Sequence, residues 1–301
     1  WVGTAIGNVV LSVMLNDAFG IFFPILLQHD WATFIFASCF TWAFTLLVSS
    51  GIKLATAINT ISTIIKFSSL LLIIVLLFIF VNYDLMHIDF WGKKSQLGPL
   101  SEQINSTMLT TLFFFMGIEG AVIVSARARF QHDVGKATII GYLICLVLNI
   151  IVCTLSFGFI DRSQMTQLND PALAQILGKG VGEWARLFVN ISVIIAVAGA
   201  WLVSTIISAE LPADAAHDHM MPHFFIHRNK RGTPIHALLI TAIFMQVVLF
   251  FVLQAQNVYL FTVHLSGIMI IPTYIVSGMF LTKIALKKSI YADQPTARQV
   301  A

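Results

Sequence analysis

The strongest chemical signal in this sequence is Gly117-Ile118-Glu119-Gly120, set in the middle of the apolar run from Thr107 to Phe130. The run reads as a membrane-spanning helix interrupted at those four residues. A carboxylate at mid-depth costs several kcal/mol, so by default it faces a cavity or a pathway. Each glycine weakens the helix by about 1 kcal/mol relative to Ala. A break there frees N–H and C=O groups that lipid cannot satisfy, which is tolerable only where they line a polar site. Plain helix–helix packing is the competing reading of the glycines, but they are three residues apart rather than the usual four.

Lys66 is the second ionisable group in an apolar stretch. It lies about 16 Å into a span starting near Ala55, at 1.5 Å per residue. That is near the middle of a hydrocarbon core of about 30 Å. It reads either as a proton carrier or as a charged clamp between helices. Asn8, Asn16, Asp17, Asn149, Asn190, Glu210 and His264 complete the intramembrane polar set. For the Asn and His members, hydrogen bonding within a bundle is the expected role. His219, His223 and His227 are four apart, but Pro222 interrupts any helix carrying them and no thiol completes a zinc site. Cys39, Cys145 and Cys153 sit in apolar stretches without a CxxC pattern. Neither a metal nor a cofactor is expected. A membrane-embedded enzyme using Glu119 and His264 would want a second acid or ligand one turn from Glu119, where Val122 and Ile123 stand.

The elements that must position these residues are membrane helices. Hydrophobic residues make up 58% of the chain and charged ones 10%, against soluble averages of roughly 45–50% and 25%. Mean hydropathy is +0.88. Windows of about 20 apolar residues give spans near 1–27, 31–50, 55–81, 107–126, 136–160, 185–209, 235–254 and 257–282. A polar tail follows at 291–301. Trp1 already lies inside an apolar run, so the chain is expected to lack its natural beginning.

Lys53, Arg127, Arg129, Lys136, Arg228, Lys230, Arg231, Lys283, Lys287, Lys288 and Arg298 fall on one side of the spans. Lys93, Lys94, Arg162, Lys179 and Arg186 fall on the other. The richer side is expected to be cytoplasmic, together with the Trp1 end and the C-terminus, in a multi-pass protein of the cytoplasmic membrane.

Phe115-Met-Gly-Ile-Glu-Gly-Ala121, Ser125-Ala-Arg-Ala128 and Asp133-Val-Gly-Lys-Ala-Thr138 resemble the amino acid–polyamine–organocation superfamily. So do Gly51-Ile-Lys53 with Asn59-Thr-Ile-Ser-Thr-Ile-Ile-Lys66, Gly199-Ala-Trp201, Ala209-Glu-Leu-Pro212, Asn229-Lys-Arg-Gly-Thr-Pro234 and Ile271-Pro-Thr-Tyr274. Within the superfamily the sequence is most similar to basic amino acid antiporters of the arginine–ornithine type.

The resemblance implies an all-α, LeuT-like fold of two five-helix inverted repeats, here incomplete and equivalent to helices 3–10. Residues 1–290 would form one transmembrane domain, with 1–81 ending the first repeat and 107–282 forming the second. The implied function is arginine/ornithine exchange by the full-length protein, the fragment alone being inactive. Exchange against a decarboxylation product, and proton-coupled uptake, are the alternatives. The substrate site would be lined by Phe113, Met116, Gly117, Ile118, Glu119 and Trp201, with Lys66 and Glu119 in coupling and gating. Phe113 would be the gating aromatic, and the Trp201 indole would stack on a cationic substrate. The expected partners are small cationic amino acids and membrane lipid but no nucleic acid, and a homodimer is compatible with the reading.

Overall fold

The computed structural model describes residues 1–86, 98–117, 132–160, 162–165, 168, 171–255 and 257–286. These form helices α1 (Val2–Gly20), α2 (Ile25–Gln28), α3 (Asp30–Ser49), α4 (Ile52–Phe80), α5 (Leu100–Phe115) and α6 (His132–Ser156). There follow α7 (Arg162–Met165), α8 (Ala172–Gly180), α9 (Glu183–His217), α10 (Ile235–Val252) and α11 (Val258–Leu286). Among the described residues there is no strand. Seven helices, α1, α3, α4, α6, α9, α10 and α11, are long and apolar enough to cross a membrane. The protein is an all-α, multi-pass membrane protein.

The eighth expected span, 107–126, falls partly outside the described residues. Its described part is α5, which begins earlier than expected at Leu100 and stops at Phe115. The first span also ends early. Pro24 disfavours helix at the preceding residue, and the chain turns after Gly20, where a methyl group would overlap the Leu27 side chain of α2. In the other direction, α9 runs 35 residues and continues through Pro212. The proline deprives the Ser208 carbonyl of its helical donor, and Thr241 Oγ1 of α10 lies 3.4 Å from that carbonyl.

The bundle is built around α9, on which α1, α3, α4, α8 and α10 all pack. Without water to drive association, helices in lipid are held by close packing and interhelical hydrogen bonds. Small residues supply the first. Ser62 of α4 sits where a side chain on Gly199 of α9 would be, and its Oγ donates to Ile195 O at 2.9 Å. Buried amides supply the second. Asn8 Nδ2 donates to Ser208 Oγ at 2.9 Å, Asn190 Nδ2 to Ala18 O at 2.6 Å, and Asn16 Nδ2 to Leu26 O at 3.2 Å.

One end of the bundle gathers the close of α3, the start of α4 with Lys53, and the loop carrying Arg228, Lys230 and Arg231. At the other end Asn82 N donates to Gly158 O, and the α8–α9 junction holds Lys179 and Arg186. These six cations fall into the two groups defined from the sequence.

Candidate functional site

The break expected at Gly117 lies at the edge of the described residues, which show a helix ending just before it. Helix α5 ends at Phe115, Met116 is extended (φ −61, ψ 141) and Gly117 has φ +102. That conformation suits glycine and strains any side chain. Three consecutive phenylalanines precede the turn and point three ways. Phe113 is half-buried towards α1, Phe114 is 50% exposed, and Phe115 meets Tyr142 of α6 with ring centroids 5.0 Å apart. Ending the helical ladder inside an apolar layer leaves last-turn carbonyls in need of partners other than the next turn of helix.

The turn lies against two other helices because both are thin there. A methyl on Gly7 of α1 would stand 3.9 Å from Phe113 Cε2, 3.9 Å from Met116 Cε and 3.5 Å from Ser266 Oγ of α11. Ser266 is fully buried, donates to Gly3 O at 2.9 Å and lies 3.7 Å from the Met116 sulfur. Gly267 lets α11 approach the Leu109 carbonyl of α5. The sequence reading missed this wall of Gly3, Gly7, Ser266 and Gly267. The four-residue spacing of Gly3 and Gly7, a close-packing signal in membrane helices, could have found it.

Of the remaining expected site residues, Ile118 and Glu119 lie outside the described residues. Lys66 is the central residue of α4, half-buried, one turn beyond Ser62 and hence on the face that crosses α9. It makes no hydrogen bond or ion pair with another described residue. Trp201 is 0% exposed. Its indole meets Phe44 edge-on at 5.1 Å and stacks with Phe40 at 6.5 Å, and Nε1 has no acceptor among the described residues. In this conformation protein covers the indole completely, so stacking on a substrate requires it to turn out of the aromatic column. The structure therefore brings Phe113 and Met116 against α1 and α11, with Gly117 at the turn beside them, while Trp201 lies on α9, which packs on α1, and Lys66 on α4, which packs on α9.

The described carboxylate with the clearest partner is Glu210, near the end of α9. It is 7% exposed and accepts from Arg228 Nη1 at 3.2 Å and Nη2 at 2.8 Å, with Asp214 3.8 Å from Nη2. The hydrogen bonds to Glu210 hold the Arg228 guanidinium above its ordinary range. The histidines expected not to form a zinc ladder lie on broken backbone. His219 has φ +60, and His223 opens a 3-10 turn after Pro222.

Residues 1–297 match the amino acid permease family. The chain is 37% identical to an arginine/agmatine antiporter of Chlamydia felis, over 96% of this chain and 61% of that protein. It is 36% identical to an arginine/agmatine antiporter of Chlamydia pneumoniae over the same shares. A Clostridium perfringens protein carrying a provisional amino-acid transporter name is 34% identical, over 99% of this chain and 64% of its own length. The chain thus spans a little under two thirds of these relatives.

Proposed function

Since this chain belongs to the amino acid permease family, we propose that the full-length protein exchanges cationic amino acids across a membrane by alternating access. The observation that carries this reading is the end of α5 at Phe115, with the Phe113 and Met116 side chains against Gly7 of α1. A helix that ends within an apolar run leaves last-turn carbonyls that can receive a charged substrate, as in membrane transporters. Glu119, two residues beyond the described turn, supplies the acid that favours a cation there. The Trp201 indole stacks on the substrate once it turns outward, and Lys66 takes the place of a coupling cation. The cation-rich end of the bundle, with Lys53 and the loop of Arg228 to Arg231, faces the cytoplasm.

Arginine is the substrate on one side of the exchange. Agmatine is the counter-substrate favoured by the names of the two chlamydial relatives, and ornithine the one favoured by the sequence motifs. Counterflow decides between them. The full-length protein, reconstituted into liposomes loaded with arginine, is offered labelled arginine, agmatine, ornithine or an uncharged amino acid outside. The proposal requires uptake of labelled arginine and of one other cation, driven by internal arginine. Equal uptake with empty liposomes would contradict exchange, and faster uptake of the uncharged amino acid would contradict the substrate class.

A further inference from the structure

Three side chains of one loop close a helix that belongs to a different part of the bundle. The last carbonyls of a helix have no partner within its own ladder; Val48 O accepts locally from Gly51 N at 3.0 Å, and α4 begins two residues beyond Ser50, at Ile52. Thr233 Oγ1 donates to Val48 O at 3.1 Å, Asn229 Nδ2 to Ser49 O at 2.8 Å, and Arg231 Nη1 to Ser50 O at 2.6 Å. Consecutive carbonyls are thus taken by donors about 180 residues away.

The loop is itself rigidly made. Asn229 Oδ1 accepts from the backbone N–H of Arg231 and of Thr233, so every polar group of that side chain is used. Arg228 ties the same loop back to α9 by bonding Gly232 O and the buried Glu210. The two residues left between α3 and α4 are Ser50 and Gly51, the latter with φ +129. A methyl placed on it would lie 3.6 Å from Arg231 Cδ, so the guanidinium stem covers the joint. Beyond it, Ala55 of α4 is buried in one cluster with Leu202 and Ala209 of α9, and the Ser62–Gly199 crossing follows, one turn before Lys66.

We infer that the 228–233 loop is a clamp that fixes the Ser50–Gly51 joint and thereby the tilt of α4 against α9. Asn229, Arg231 and Thr233 are positioning residues. They act on the tilt of α4, and through it on the depth of Lys66, without touching a substrate. The clamp stands on geometry alone, whereas its effect on exchange rests on the transport reading above.

The test uses the full-length protein with Cys39, Cys145 and Cys153 replaced and spin labels at Ile58 of α4 and Leu239 of α10, both lipid-facing positions. Asn229→Asp keeps the oxygen that shapes the loop but removes the donor to Ser49 O. Thr233→Val is isosteric and removes only the bond to Val48 O. In both, the Ile58–Leu239 distance distribution should broaden, while a control pair at Trp184 and Leu239 stays unchanged. The counterflow rate should fall roughly threefold or more, within the range by which coupling residues act. An unchanged Ile58–Leu239 distribution in both variants, or equal broadening of the control pair, would overturn the clamp. Should Asn229→Asp fail to accumulate, Thr233→Val decides alone. The distances need no transport assay, so a failure of the exchange reading leaves this result interpretable.

Discussion

Removing Arg228 should destabilise the bundle more than removing Glu210, although the two residues share one interaction. Arg228→Ala strips the two guanidinium hydrogen bonds from a carboxylate that is 7% exposed. Breaking a fully buried pair costs about 3–5 kcal/mol. Here the guanidinium side chain is 36% exposed and one of its bonds is 3.2 Å long, so solvent screening reduces the expectation to about 2–3 kcal/mol. Glu210→Gln keeps an acceptor in place and should cost about 1 kcal/mol.

At roughly 2–4 °C per kcal/mol for a domain of this size, the arginine variant should melt about 5–10 °C lower in detergent. The raised guanidinium pKa makes its contribution present below the unfolded pKa and lost only as pH rises through the folded one. Both lie far above the working range, so the loss should be the same from pH 5 to 9. A double-mutant cycle isolates the pair. Additive losses in Arg228→Ala, Glu210→Gln and the double variant would refute the reasoning, because they would mean that the two residues do not act on each other.

Trp201→Phe keeps an aromatic ring in the column with Phe44 but loses the indole. It should weaken binding of labelled arginine while lowering the melting temperature little, and unchanged arginine affinity would remove the stacking role. Trp201→Leu is a poorer test, since emptying part of a fully buried site also costs stability. Lys66→Met should still bind arginine, but its exchange, measured from about pH 5 to 8, should stall or lose its pH dependence, because the charge that takes the place of a coupling cation is gone. Unchanged rates across that range would exclude both the coupling and the clamping role of Lys66. For orientation, Lys230→Cys is an exposed position next to the structurally engaged Asn229. An impermeant thiol reagent should reach it only after intact cells are opened, and rapid labelling from outside would invert the topology.

The helices and the end of α5 before Gly117 were legible because each rests on a local constraint. Apolar runs of about 20 residues have few alternatives to crossing a membrane, and a glycine pair flanking an acid has few uses in a straight helix. The surroundings of Trp201 were not legible in the same way. Phe36, Phe40 and Phe44 recur one turn apart on α3, but nothing in that spacing says that Trp201 closes their column. The Asn229, Arg231 and Thr233 bonds were equally hidden, since a polar loop residue is as easily satisfied by water as by a distant carbonyl. The Gly3–Gly7 wall was readable from its spacing, whereas its closeness to Phe113 and Met116 depends on how α1, α5 and α11 meet.

The central claim is that the turn at Met116 and Gly117 is part of the substrate site, and Gly117→Ala tests it most directly. A methyl there would meet no described atom within 4 Å, so the substitution acts through the backbone, where φ +102 penalises any side chain by about 1–3 kcal/mol. The measurement is arginine counterflow by Gly117→Ala and by the unaltered full-length protein, at matched amounts of folded protein in liposomes. The account predicts that Gly117→Ala loses exchange by tenfold or more, the factor worth about 1.4 kcal/mol. Counterflow at the unaltered rate would contradict it.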